Sequence, residues 1–394
     1  MRLVKNADSD IGRYWGPRIY QILTANESEL LSSNVSKPHS HQSSANSRPA
    51  GQSAAIDTRA LAVRLSPLLK AYGADTKRSL LQLALTIVPF FALLVIMAVA
   101  AAHQLFWLSL LLAAPTAGLL VRLFIFQHDC GHGAYFPSRT ANDILGRIIS
   151  VLTFTPYDQW KRSHAYHHAA SGDLDRRGQG DVVVMTTREY KAAPRLRRLG
   201  YRLYRNPIIM IALGAPVNFL LLQRLPLGRA FRDRLSMRSI MGLNLALLIA
   251  FGLPIAMIGV WPVLTAYLPM LIIAAWIGGW LFYIQHQFEG TYWERGENWN
   301  FHQAAIESSS YFVLPPVLRW FTGNIGLHHI HHLCSKIPNY RLQACLDAFP
   351  ELRNVAKRIT LRGSLKCWRL ALWDEDRRRL VSFREYGRQK LLSK

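Results

Sequence analysis

The chain has 394 residues, half of them hydrophobic and 18% charged, with a formal net charge of +23. Charge is absent from two long runs, 43 residues from Ser79 to Val121 and 50 from Ser239 to Phe288. Each run is about twice the ~20 apolar residues that cross a bilayer once, so a string of soluble domains is excluded and each run reads as a helical hairpin in a membrane.

In chain order, residues 26–56 are rich in Ser and Asn and poor in large apolar groups, which predicts a disordered tail over 1–57. His39 and His41 lie in it and receive no role. No cleavable signal pattern precedes the first apolar stretch near Leu80, so targeting is expected to rest on the first hairpin. The pattern of residues 58–78 suggests an amphipathic helix at the interface. Membrane helices are expected at about 80–102, 106–126, 240–260 and 262–283. Residues 206–223 are apolar too, but Pro207, Gly214, Pro216 and Asn218 interrupt them. A re-entrant or interfacial element fits better than a full span. Residues 346–394 read as a basic tail. The expected fold class is an all-α integral membrane protein with four transmembrane helices and a histidine-rich cap.

The distribution of Lys and Arg predicts topology. Segment 127–238 carries 18 Lys and Arg against 8 Asp and Glu, a net of +10. Segment 287–394 carries 17 against 10, a net of +7, and residues 1–78 carry 11 against 6. The hairpin turns at His103–Gln104 and Gly259–Pro262 carry no charge. Both termini and the middle segment are therefore expected in the cytoplasm, at a bacterial inner membrane. The basic face suits anionic lipid or an acidic electron carrier. It is not gathered into a module of the kind that binds nucleic acid. Cys130, Cys334, Cys345 and Cys367 form no C-x-x-C pair, which fits a reducing compartment.

Ten of the 14 histidines fall in four patches on this side. Q-H-D-C-G-H gives His128 and His132 at i, i+4. R-S-H-A-Y-H-H gives His164, His167 and His168, and G-L-H-H-I-H-H gives His328, His331 and His332, both at i, i+3, i+4. His286 ends the last apolar run, and His329 sits inside the final box off the shared face. Residues three and four apart share a helix face, so each box can aim its imidazoles at one point. Neutral imidazole ligates iron, zinc, copper or nickel, and eight or nine converging rings suggest two ions. His103 and His302, each isolated, receive no role.

The order H-D-C-G-H, H-A-Y-H-H and H-H-I-H-H resembles the integral-membrane fatty acid desaturases over residues 80–345. The flanking F-Y-I-Q-H-Q-F-E-G-T-Y-W and T-G-N-I-G-L-H-H-I-H-H-L-C-S-K-I-P-N-Y-R-L look like the acyl-lipid Δ12 (omega-6) type. The resemblance implies a non-haem di-iron centre held by His128, His132, His164, His167, His168, His328, His331 and His332, with His286 as ninth ligand. Asp129 and Asn324 are candidates for orienting ligand rings. O2 is the implied co-substrate, and the product a cis double bond in a lipid-linked acyl chain. There is no His-Pro-Gly-Gly haem signature and no Gly-rich flavin or nicotinamide loop. A separate ferredoxin or cytochrome b5, with its reductase, is therefore implied.

An acyl channel is expected among Phe124, Phe126, Trp276, Trp280, Phe282 and Tyr283, where an interfacial aromatic belt is the other reading. Lys161, Arg162, Arg176 and Arg177 could hold a phosphate or headgroup. A di-iron hydroxylase or ketolase of carotenoids or alkanes would use the same histidines. A metal transporter would need ionisable groups inside the membrane, and the third and fourth helices have none.

Overall fold

The computed structural model describes residues 57–178 and 180–392. The expected tail therefore lies, up to residue 56, outside the described residues. The first helix, α1 (Thr58–Leu69), is capped by Asp57. Its buried face, Leu61, Ala62, Leu65 and Leu69, packs into a cluster with Ala305, Ile306, Leu327 and Ile330. The amphipathic pattern was expected to lie at the membrane interface; in the structure protein covers the apolar stripe.

Among the described residues four helices are long and apolar enough to cross a membrane: α2 (Thr76–Ala102), α3 (Phe106–Gly131), α10 (Arg234–Ile258) and α11 (Val260–His286). Those with capping residues begin earlier than hydropathy suggests. Asp75 accepts from the backbone N–H of Arg78 and starts α2, and Asp233 does the same for α10 through Leu235 and Ser236. Gln104, at φ 60°, turns α2 into α3, and Gly259, at φ 85°, turns α10 into α11. The positive φ at Gly259 is the conformation that glycine adopts without steric cost. α3 is the most buried of the four and α10 the least. α3 packs against α2, α11 and α4 (Arg139–Thr153). The outer faces of α2 and α10 expose Leu85, Val88, Val95, Leu248, Leu253 and Met257, as hydrocarbon contact requires.

Between the hairpins run α4, α5 (Tyr157–Ala170), β1 (Met185–Thr186), α6 (Thr187–Ala192) and α7 (Arg195–Tyr204). The apolar stretch 206–223 is a broken element. A π-helix (Ile208–Gly214) leads into α8 (Ala215–Leu220) and a 3₁₀ turn (Leu222–Arg224), bent by 58° from α7. Trp276 Nε1 donates to the Ala212 carbonyl at 3.0 Å, stapling this element to α11. A Cβ at Gly279 would sit 2.7 Å from the Ala215 Cβ, so the two backbones approach closely there. A short helix, α9 (Arg229–Arg232), precedes α10.

After α11 come α12 (Phe301–Glu307), β2 (Tyr311–Val313), α13 (Pro316–Phe321), α14 (His328–Leu333), α15 (Asn339–Ala348), α16 (Leu352–Val355), β3 (Arg358–Thr360), α17 (Leu361–Cys367), β4 (Leu370–Asp374), β5 (Arg379–Ser382) and α18 (Phe383–Leu392). The mostly helical architecture carries two small sheets that periodicity did not reveal. β3 pairs parallel with β2, and β4 joins β1 to β5. Residues 346–394, read as a basic tail, are thus tied into the body as far as they are described. Met185 opposes Leu372 and Thr186 opposes Trp373, and Leu380 and Trp373 pack with Val184 and Trp293.

Candidate metal centre

The boxes lie where the membrane helices end. His128 is in the last turn of α3 and His132 caps it; His286 is the last residue of α11. α5 carries His164, His167 and His168, and α14 carries His328, His331 and His332. α5 is anchored by the Tyr157 hydroxyl, which lies 2.9 Å from both the Cys130 carbonyl and the Asp143 carboxylate. α14 follows a tight turn in which Gly323 and Asn324 have positive φ. A Cβ at Gly326 would lie 2.4 Å from the Phe312 carbonyl oxygen, so no larger residue fits before the final box.

Two groups result, each with ligand atoms within 4.8 Å of one another. His128, His132, His164, His168 and His331 form one; His167, His286, His328 and His332 form the other. The two helical boxes are shared out between them. On α5, positions i and i+4 serve the first group and i+3 the second; on α14, i and i+4 serve the second and i+3 the first.

Hydrogen bonding tests whether these rings fit a metal. His286 Nδ1 donates to the Ser308 carbonyl at 2.9 Å, and His167 Nδ1 donates to the Asp181 carboxylate. A neutral imidazole has one N–H, so both Nε2 atoms are bare lone pairs. They face each other at 3.1 Å, where two lone pairs repel unless a cation lies between them. His286 Nε2 is also 2.9 Å from His328 Nε2, which is 3.1 Å from His332 Nε2. Nitrogens about 2.1 Å from one ion lie within about 4.2 Å of one another, as these do. In the first group His168 Nε2 is 3.1 Å from both His164 and His331, while His128 Nε2 and His132 Nε2 are buried without a partner among the described residues. The donor set fits two metal ions. Burial, and then the neighbouring rings, hold His164, His168, His331 and His332 well below the usual 6.5, which favours the neutral form that a metal ion would need.

His329 turns away: its Nε2 donates to the Leu352 carbonyl at 2.9 Å. Asp129 lies beside the site, with Oδ1 3.2 Å from His128 Nδ1. Asn324 does not orient a histidine; its amide donates to the Asn339 carbonyl at 3.0 Å. Asp181 was missed, because it reaches His167 from an irregular loop with no motif around it. Lys161, Arg162, Arg176 and Arg177 each pair with a carboxylate, on Asp143, Asp233, Asp173 and Glu189 respectively. They are not a free anion site.

A cavity of about 810 Å³ runs between α3, α11 and the broken element to His128, His164 and His328. Phe124, Phe282 and Tyr283 line it, with Leu120, Leu271 and Met210. Phe126, Trp276 and Trp280 do not. Phe126 is fully buried against Tyr135, Trp276 is 42% exposed on the outer side, and Trp280 stacks on Tyr283 at 6.0 Å.

The fatty acid desaturase family model matches residues 105–358, more than half of the chain. A fatty acid desaturase of Bacillus subtilis (strain 168) is 44% identical over 316 residues, covering 79% of this chain and 87% of that protein. An sn-1 oleoyl-lipid 12-desaturase of Synechocystis is 26% identical over 238 residues, 60% of this chain and 66% of that one. An sn-1 acyl-lipid omega-3 desaturase (ferredoxin) of Synechocystis is 26% identical over 268 residues, 62% and 67%. On these matches, and with its four apolar helices and paired histidine groups, the chain belongs to the fatty acid desaturase family.

Proposed function

We propose that the chain is an O2-dependent desaturase that places a cis double bond in a lipid-linked acyl chain, using two irons held by the nine histidines. The observation that carries this reading is the apolar cavity ending on His128, His164 and His328, members of both groups. Its volume is in the range of about 300–1,000 Å³ usual for small-molecule sites.

A methylene C–H has no acidic proton and no polar handle, so side-chain acid–base chemistry cannot break it. Two irons bound by these groups would supply the O2 chemistry that removes two vicinal hydrogens. The chain's own residues hold and shield the reacting parts. Phe124, Phe282 and Tyr283 bound the acyl path and keep water from it. Asp181, the Ser308 carbonyl and Asp129 fix the orientation of His167, His286 and His128. Trp160 stacks on His164 at 4.7 Å and limits its rotation.

Δ12 insertion is supported by the flanking sequence and by the similarity to the sn-1 oleoyl-lipid 12-desaturase of Synechocystis. The name of the second Synechocystis relative supports ferredoxin with its reductase as donor, and that of an Arabidopsis thaliana relative gives cytochrome b5. The Lys and Arg distribution supports an orientation with the histidine side and both termini in the cytoplasm, and the Bacillus subtilis relative suits a bacterial membrane. Residues 58–345 would be the catalytic unit.

The test is a fatty-acid profile by gas chromatography–mass spectrometry. The chain is expressed in a host making monounsaturated lipids, with ferredoxin and reductase, beside a His167→Ala control. A diene absent from the control supports desaturation and locates the bond. An unchanged profile from folded protein carrying two irons turns the reading to carotenoid or alkane oxygenation, and one with no iron overturns the di-iron reading.

A further inference from the structure

Behind the second histidine group lies a small cavity of about 10 Å³, lined by Asp181, Phe282, His286, Thr291, Trp293 and Ser308 among others. Three of its lining residues bring polar atoms that have no partner in the protein among the described residues: the Trp293 indole N–H, the Thr291 hydroxyl and Asp181 Oδ2. Trp293 is 5% exposed, Thr291 1%, and the Asp181 side chain 9%. Leaving such groups unpaired forfeits their hydration, and native proteins rarely tolerate three at one place. The volume matches one probe sphere, and one water needs two to four polar partners. The chemistry is complementary: the indole can only donate, Oδ2 of the carboxylate can only accept, and the hydroxyl can do either.

We propose that this cavity holds one ordered water, bound by Trp293, Thr291 and Asp181, which makes Trp293 and Thr291 positioning residues for the metal centre. The water oxygen accepts from the indole and the hydroxyl and donates to Asp181 Oδ2. Asp181 Oδ1 meanwhile accepts from His167 Nδ1. With both oxygens held, the carboxylate cannot rotate, and the His167 ring keeps its Nε2 aimed at His286 and the shared ion position. Asp181, Val182 and Phe282 line both this cavity and the larger apolar one, so the water's site adjoins the acyl path. Trp293 also packs on Trp373 and Leu380, so the water's seat is braced by the C-terminal hairpin.

The proposal rests on the metal reading above, and the experiment separates the two. The full chain in detergent, stripped of metal, is titrated with Co²⁺, and uptake is followed by the visible ligand-field bands. The expected result is two equivalents for the wild type and about 10–100-fold weaker binding of one of them in Asp181→Asn. Trp293→Phe and Thr291→Val, both close in shape to the original, should each weaken the same equivalent by roughly 10-fold and shift its band. Because both act through one water, the double variant should lose no more than the weaker-binding single. Multiplicative losses in the double variant overturn the shared water. So do two unperturbed equivalents in both single variants while the wild type binds two. A wild type that takes up fewer than two equivalents overturns the metal reading, and the water's role with it. A packing defect alone would lower the unfolding temperature and leave the band unmoved, which also overturns the proposal.

Discussion

Asn339 is doubly bonded to the Asp129 carboxylate: its backbone N–H and its side-chain amide both donate to Oδ2, at 2.7 and 2.8 Å. The other carboxylate oxygen lies 3.2 Å from His128 Nδ1. One buried acid thereby fixes a histidine at the end of α3 and the start of α15, which follows the final box. In Asp129→Asn one acceptor oxygen becomes a donor, so either both Asn339 donors or His128 Nδ1 is left facing an N–H. We expect a loss of about 1–3 kcal/mol in thermal or denaturant unfolding and weaker metal binding in the group containing His128. Unchanged stability and affinity would remove Asp129 from this role.

The division of the boxes between two groups predicts separable metal losses. His332→Ala should remove the ion of the second group and leave the first; His164→Ala should do the reverse. Metal analysis of purified protein reads one equivalent in each case, against two for the wild type. His329→Ala is the internal control. Its imidazole bonds the Leu352 carbonyl, so the variant should keep both equivalents and lose only stability, by about 1–3 kcal/mol. Loss of metal in His329→Ala would contradict the grouping.

Acid stability should depend on Asp143. Burial raises its pKa, but hydrogen bonds from Lys161, 2.7 Å away, and Tyr157 outweigh it and hold the carboxyl below the usual 3.8. A depressed folded-state value means that the contribution is fully present above pH 3.8 and is lost as pH falls through the depressed value. The pair is partly exposed, so its worth is about 0.5–1 kcal/mol. Lys161→Met should lower stability by that amount at pH 6 and narrow the difference from wild type at the acid end, as read by unfolding midpoints between pH 6 and 3.

Two neighbouring glycines on α11 should respond oppositely to enlargement. A Cβ at Gly278 meets nothing within 4 Å, and the residue lines the acyl cavity. Gly278→Leu should therefore fold, fill part of the cavity and shift products toward shorter chains. A Cβ at Gly279 meets Ala215 at 2.7 Å, so Gly279→Leu should instead force α11 from the broken element and lower stability. Acyl-chain analysis of products, alongside unfolding temperature, distinguishes the two.

The histidine pattern was legible because i, i+3, i+4 spacing is a local property that survives without knowing the fold. The membrane helices were legible for the same reason. Their faces were not. α11 is apolar all round, and such a helix gives no moment to say which side meets the cavity. Phe282 and Tyr283 therefore line it, while Trp276 on the same helix looks outward. Partners fixed by tertiary structure were equally hidden. Asp181 meets His167 across a loop, and the Ser308 carbonyl meets His286 across 22 residues. β1 is two residues long and is defined only by Leu372 and Trp373, nearly 190 residues later.

That late pairing sets a timetable for biosynthesis. The nine histidines have all been translated once residue 332 is made, and the four apolar helices earlier still. The strand that backs β1, and the Trp373 and Leu380 wall beside Trp293, are made later than all of these. A nascent polypeptide thus carries every ligand before the scaffold behind His167 is complete. A product that stops before residue 370 would keep all nine histidines and the four apolar helices yet lack the wall behind Trp293.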